Sequence, residues 1–213
     1  VINGLMVTRF YINPLIATLG MMTIVRSLVL IVSGDRSMSS FPKAFQWIGQ
    51  GKIFDIPNPI WIFIILVILA EIVLRTMKIG RLPFFVGSNA QAAELSGLRV
   101  KKIQFILYAI CGCAAGIAGV VSAARLNAAF PLAGNGAELR IIAAAVIGGC
   151  SLSGGQGSIV GALLGVILMA MINNLLILTG VPIYWQGFVA GSVLIGAVGF
   201  DEYSKRKRGD IRS

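Results

Sequence analysis

The chain has 213 residues, 57% of them hydrophobic and only 12% charged, with a mean hydropathy of +0.88 and a formal net charge of +10. That profile belongs to an all-α, polytopic helical membrane protein and excludes an ordinary soluble globular domain. It also removes the nucleic-acid partner that so basic a soluble chain would invite. Histidine is absent, which takes away the commonest catalytic base and metal ligand, and neither a metal site nor a cofactor site is expected.

In chain order, the opening "VINGLMVTRFYINP" reads as the tail of a helix running into a loop, without the basic, apolar and cleavage regions of a signal peptide. The natural protein is therefore expected to begin further upstream. A spanning helix needs about 20 mostly apolar residues, and five segments qualify clearly: 14–33, 59–76, 103–124, 158–179 and 183–200. Between the first two, Pro42 stands where a helix would start, with Phe41, Phe45 and Ile48 on one side and Gly49 or Gly51 at the end. The pattern predicts a short amphipathic helix on the outer surface. Cys111, Cys113 and Cys150 lie in apolar segments and read as small apolar filling.

A sixth apolar piece, "LRIIAAAVIGGCSL" (139–152), is short: its 14 residues rise only about 21 Å against a core about 30 Å thick. Charge decides how to treat it. Arg75, Lys78, Arg81, Arg99, Lys101 and Lys102 cluster in one loop and Lys205, Arg206, Lys207, Arg208 and Arg212 in the C-terminal tail, and both clusters belong on the cytoplasmic side. The tail reaches that side only if 139–152 crosses, giving about six crossings, one short or broken. Trp61, Tyr184 and Trp185 then fall at an outer aromatic belt.

The break is "SLSGGQGS", with Ser151, Ser153, Gly154, Gly155, Gln156 and Gly157 forming a loop. A broken helix at membrane depth needs protein or a water-filled cavity around its backbone. The loop lacks the Gly-Lys-Ser/Thr of a phosphate cradle. Gly157, Gly161 and Gly165 recur every four residues on one helix face, as do Gly112 with Gly116 and Gly187 with Gly191, which favours close helix packing.

The basic loop holds a polar stretch, Ser88, Asn89, Ala90, Gln91, Ala92, Ala93, Glu94, Leu95, Ser96 and Gly97. Ser88 and Gln91 have capping-box spacing and Gly97 stands where a helix would end, so a thin-surfaced cytoplasmic helix is expected, too short to be stable without support. Glu94 is its sole acid, able to pair with a partner's base or with Arg99 or Lys101. Polar groups inside spans are costly unless they face a cavity or a partner helix. Thr23, Ser122, Asn127, Asn173 and Gln186 are accordingly candidates for a path lined by neutral hydrogen-bonding groups, with interhelical bonding as the plainer alternative. Asn173 and Asn174 point about 100° apart. Arg26 and Glu71 lie inside spans, where Glu71 has either Arg26 or Arg75 as a mate; Glu138 and Arg140 flank the short segment.

"GSNAQAAELSGLRVKK", then "AAAVIGGCSLSGGQGSIVGALLGVILMAMINNLLILTGVPIYWQGFVAGSVLI", with "INPLIATLGMMTIVRSLVLIVSG" before them, resemble the permease subunit of bacterial ABC importers for monosaccharides, the ribose/galactose/xylose type. The resemblance covers nearly the whole chain. It implies a single transmembrane permease domain over 1–213 lacking the family's first helices, in the bacterial cytoplasmic membrane with a cytoplasmic C-terminus. It implies a second permease copy completing the pore, a cytoplasmic ATP-binding subunit driving it, and a periplasmic or lipid-anchored sugar-binding protein. It makes Ser88 to Gly97 the coupling helix that docks on the ATPase; the chain has no Walker motif of its own. Two rivals within transport remain: the related permeases for branched-chain amino acids, and an ion-coupled secondary transporter, for which only Glu71 offers an intramembrane carboxylate and no internal repeat is evident. An intramembrane enzyme finds no catalytic constellation among these residues.

Overall fold

The computed structural model describes residues 1–182 and, beyond them, 185, 187–189, 191–193, 195–196 and 198–199. Among the described residues four helices are long and apolar enough to cross a membrane: α2 (Pro14–Ser33), α4 (Asn58–Thr76), α7 (Val100–Leu126) and α9 (Ile159–Leu178). Between and before them run α1 (Ile2–Phe10), α3 (Lys43–Gln50), α5 (Lys78–Ser88), α6 (Ala90–Leu95) and α8 (Ala137–Ile147). Two short pairings complete the described elements: β1 (Met38–Ser39) with β4 (Ala128–Ala129), and β2 (Lys52–Ile53) with β3 (Ile56–Pro57), both antiparallel. The four long helices coincide with expected spans to within a few residues. Their large apolar side chains are mostly exposed, Leu28, Ile65, Leu69, Ile110 and Leu164 among them. An apolar exterior on helices that satisfy their own backbone is what a bilayer requires, and the chain is a helical membrane protein.

The helix ends follow local chemistry. Asn13 caps α2, its Oδ1 accepting from the Leu15 N–H at 3.0 Å, with Pro14 at the first helical position. Ser158 caps α9 in the same way, its Oγ accepting from Gly161 N–H at 3.0 Å. At 27 residues α7 rises about 40 Å, longer than the expected 103–124 and enough to carry both ends beyond the hydrocarbon core. By contrast α8 has 11 residues and rises about 16 Å, less than the 139–152 segment would give, and it does not span by itself. The expected span 183–200 falls mostly on residues whose neighbours lie outside the description; those described there are helical.

The chain forms two compact units. The first comprises Val1–Pro83 and Ala90–Ala133. In it α1 lies against α7, where a Cβ on Gly4 would stand 3.0 Å from the Phe105 ring. The helix α3 packs on α7 and α4, starting one residue later than expected with Pro42 as its N-cap and a Phe41–Phe45 ring contact of 4.9 Å. It is not merely laid on a surface: Gly49 meets the backbone of Ala124 and Arg125, a Cβ there falling 2.1 Å from Arg125 N. Gln50 Nε2 donates to Arg125 O at 3.1 Å. Asn58, only 4% exposed, donates from Nδ2 to Trp47 O at 2.7 Å and from its backbone to Gly51 O at 2.9 Å. The loop following α2 is thus tied to the far end of α7.

The second unit comprises Phe84–Asn89 with the chain from Gly134 onward. Its centre is the α8–α9 hairpin, where Ala143, Ala144 and Met169 are buried, with Ile147, Ile172 and Val193 against them. Gly161 and Gly165 let the two backbones meet: a Cβ on Gly165 would stand 2.0 Å from Ala144 O, and one on Gly161 2.1 Å from Gly148 O. The close packing expected of the 157–161–165 face is present at these two positions.

Candidate functional site

The polar stretch 88–97 folds differently at its two ends. Ser88 does not begin the short helix; it is the last residue of α5, and its Oγ donates to Phe84 O at 2.9 Å. The expected capping box with Gln91 is not formed, because Ser88 continues the preceding helix and its hydroxyl turns back along it. Asn89 instead precedes α6 in the N-cap position, and α6 has six residues, fewer than the expected eight. At the other end Gly97 acts as expected. It adopts φ +83°, its N–H donates to Glu94 O at 2.9 Å and Leu98 N–H donates to Ala93 O at 3.1 Å. These two bonds are the Schellman closure, and the left-handed backbone favours glycine there.

The exposure of α6 is one-sided. Ala93 is 6% exposed and faces the chain, whereas Leu95 is 90% exposed and Gln91, Ala92, Glu94 and Ser96 are open to solvent. A bare leucine on a basic, polar loop is an apolar knob without a socket in its own unit. Ala93 thus seats α6 on its own chain, and Ala92 and Leu95 lie on its open side.

The glycine loop 151–157 connects α8 to α9 and closes on itself through Ser151 N–H to Gln156 O at 3.0 Å and Gly154 N–H to Ser151 O at 3.2 Å. Gly154 and Gly155 hold φ +89° and +78°. Their backbone presses on the end of α5: a Cβ on Gly155 would stand 2.3 Å from Ser88 Oγ, one on Gly154 2.8 Å from Gly87 O, and one on Gly87 2.5 Å from Gly155 N. Only three glycines in contact permit this approach. A Cβ on Gly157 would stand 3.0 Å from Cys150 Sγ. The loop is thus neither a phosphate cradle nor a free turn; it is seated on the two residues immediately preceding Asn89 and α6. Gly87 opens the quoted stretch in the sequence, but its partner, more than 60 residues away, leaves no local signal.

The polar candidates for a path are not assembled in one place by the described residues. Thr23 is exposed on α2, with its Oγ1 donating to Leu19 O at 2.9 Å. Ser122 is exposed on α7. Asn127 follows α7 as a left-handed C-cap with φ 50°, and its Oδ1 accepts from Phe41 N–H at 3.1 Å, which gives it a structural use. Asn173 is half-buried and Asn174 exposed, the divergence that their 100° separation requires. Gln186 lies outside the described residues. Of the alternatives for Glu71 the local one is realised: Arg75 Nε donates to Glu71 Oε1 at 2.5 Å, four residues along α4. Glu138 sits in the first turn of α8, with Arg140 exposed beside it.

Exposed apolar helices, a short helix packed by glycines against a spanning one, and a capped polar helix outside the spans define a multi-span helical membrane protein. A family model described as "Branched-chain amino acid transport system / permease component" matches residues 1–198, and the chain belongs to that family. Similar proteins include the ribose import permease protein RbsC of Escherichia coli K12, 39% identical over 201 residues, covering 92% of this chain and 63% of that protein. The L-arabinose ABC transporter permease protein AraH of Azospirillum brasilense is 38% identical over 208 residues, 97% of this chain and 61% of its own length. RbsC of Bacillus subtilis is 37% identical over 201 residues, 93% and 62%. The chain therefore spans less than two thirds of the length of these relatives. No solved structure matches.

Proposed function

We propose that the chain is part of the pore subunit of an ATP-driven importer that moves a monosaccharide across a bacterial cytoplasmic membrane. ATP is hydrolysed by a separate cytoplasmic subunit, a second permease copy completes the pore, and an external binding protein supplies the sugar. Support for the sugar comes from the ribose and L-arabinose permeases to which the chain is 37–39% identical. The family description names branched-chain amino acids, and these are the runner-up substrate class.

The observation that carries the coupling mechanism is the seating of Gly154 and Gly155 on Gly87 and Ser88. In this proposal α6 docks on the ATPase through Leu95, Ala92 and Glu94, and a displacement of α6 pulls on Ser88 through Asn89. Ser88 and Gly87 bear on the glycine loop, and the loop moves the α8–α9 hairpin, whose glycine contacts make it a stiff unit. ATP binding then biases a two-state pore through differential contact with the two arrangements. Basic residues precede and follow Ser88 in the sequence, which favours a cytoplasmic position for Ser88 and for the loop that touches it. That supports a cytoplasmic start for α9, a crossing through 139–152, six crossings in all and a cytoplasmic C-terminus.

The test is uptake by the full-length permease reconstituted with its ATP-binding and binding-protein subunits, offering ribose, L-arabinose and leucine in turn. Saturable uptake of a sugar, dependent on ATP, is expected. Uptake of leucine alone would establish the runner-up, and uptake driven by an ion gradient without ATP would reject the coupling mechanism altogether.

A further inference from the structure

Between the end of α1 and the first turns of α7 lies a cavity of about 320 Å³ lined by Thr8, Arg9, Tyr11, Lys101, Lys102 and Phe105. Three of the six are cations and none is acidic. Such a concave cluster of like charge raises the local potential for an anion and is costly to leave without one. Tyr11 is held in the left-handed region at φ 55° and contacts the Lys101 ammonium through its hydroxyl, with Lys101 Nζ 4.4 Å from the ring centroid. The aromatic wall thereby fixes one cation while Arg9 and Lys102 complete the rim. Phe105 stands four residues beyond Lys101 on the same face of α7 and gives the cavity an apolar floor.

Depth in the membrane narrows the ligand. In α7, Lys101 and Lys102 are followed by Ile103 and Gln104 and then by an apolar run from Phe105, so the cations lie where the helix leaves the hydrocarbon and enters the headgroup layer. A phosphate oxyanion is the chemistry that suits the rim, and an attached apolar chain suits the floor and the exposed flank of α7. Basic pockets at this depth between membrane helices take anionic headgroups, and the volume is at the small end of the roughly 300–1,000 Å³ of ligand sites.

We propose that this cavity is a specific site for an anionic phospholipid, its phosphate held by Arg9, Lys101 and Lys102 and its first chain carbons against Phe105. The occupant anchors α1 to α7 at the membrane surface.

The experiment places the full-length permease in phosphatidylcholine nanodiscs, titrates phosphatidylglycerol, and counts retained lipid by native mass spectrometry after gentle release. Preferential retention of phosphatidylglycerol is expected. Arg9→Ala with Lys102→Ala lowers that preference about fivefold per cation removed, and Arg36→Ala with Lys43→Ala, equal in charge but after α2 and at the start of α3, leaves it unchanged. Thr8→Phe fills the cavity without removing charge and gives a loss of the same order, so the result does not hang on a charge variant that fails to insert. Equal retention by wild type and by Thr8→Phe would overturn the proposal. Displacement of the lipid by inorganic phosphate would also overturn it, since the site would then hold a soluble oxyanion.

Discussion

The helices α7 and α9 carry glycines at the same four-residue spacing, and the structure treats them in opposite ways. On α9, Gly161 and Gly165 are pressed against Gly148 and Ala144 of α8, close enough that a single methyl would meet backbone at 2.0–2.1 Å. On α7, Gly112, Gly116 and Gly119 have nothing among the described residues within 4 Å of the position a Cβ would take. Spacing alone gives a face that backbone is able to approach; the partner decides whether it does. The α9 glycines have theirs one loop away, brought back by the glycine turn at 148–158.

The contrast breaks most sharply at Gly165. Replacing it with valine forces α8 and α9 apart, and a loss of about 3 kcal/mol in unfolding from detergent is expected, with transport abolished. Gly155→Ala is the next in size, about 2 kcal/mol, from the left-handed backbone together with the clash on Ser88 Oγ. Its sharper readout is functional: uptake falls at least roughly tenfold while the ATP-binding subunit still co-purifies and hydrolyses ATP. Asn58→Ala removes the side-chain tie to Trp47 O from the α3–α4 corner and costs about 1–1.5 kcal/mol, loosening the loop after α2 to protease without touching the hairpin. Gly116→Ala has the opposite sign: with open space around it, a helical alanine stabilises the isolated protomer by up to about 1 kcal/mol. A destabilisation there would mean that α7 has a glycine-packed neighbour of its own.

The long spans were legible because 20 apolar residues bounded by Asn-Pro, by Pro or by a capping serine have few other uses in a chain of this composition. Gly97 was legible for a similar reason, since only a residue at ease with positive φ closes a helix in that manner. Ser88 was misjudged because the capping-box pattern is local and the same serine served equally well to finish α5. The tie of Asn127 to Phe41, 86 residues away, and that of Gly155 to Ser88 leave no periodic trace; only three-dimensional proximity reveals them. For Glu71 the sequence offered two mates, and the one within a helical turn was realised. The segment 139–152 reads in the sequence as a short or broken crossing, and a helix of 11 residues is what forms there before the glycine turn takes over.

The central claim is that α6 receives the ATPase's motion. One cysteine at Leu95, on a full-length background in which Cys111, Cys113 and Cys150 are replaced, tests it by crosslinking to the ATP-binding subunit with and without ATP. The account predicts a crosslink whose yield changes with nucleotide, and a weaker one from Ala93, which faces the chain. No crosslink from Leu95 or Ala92 in a protein that still transports would contradict it.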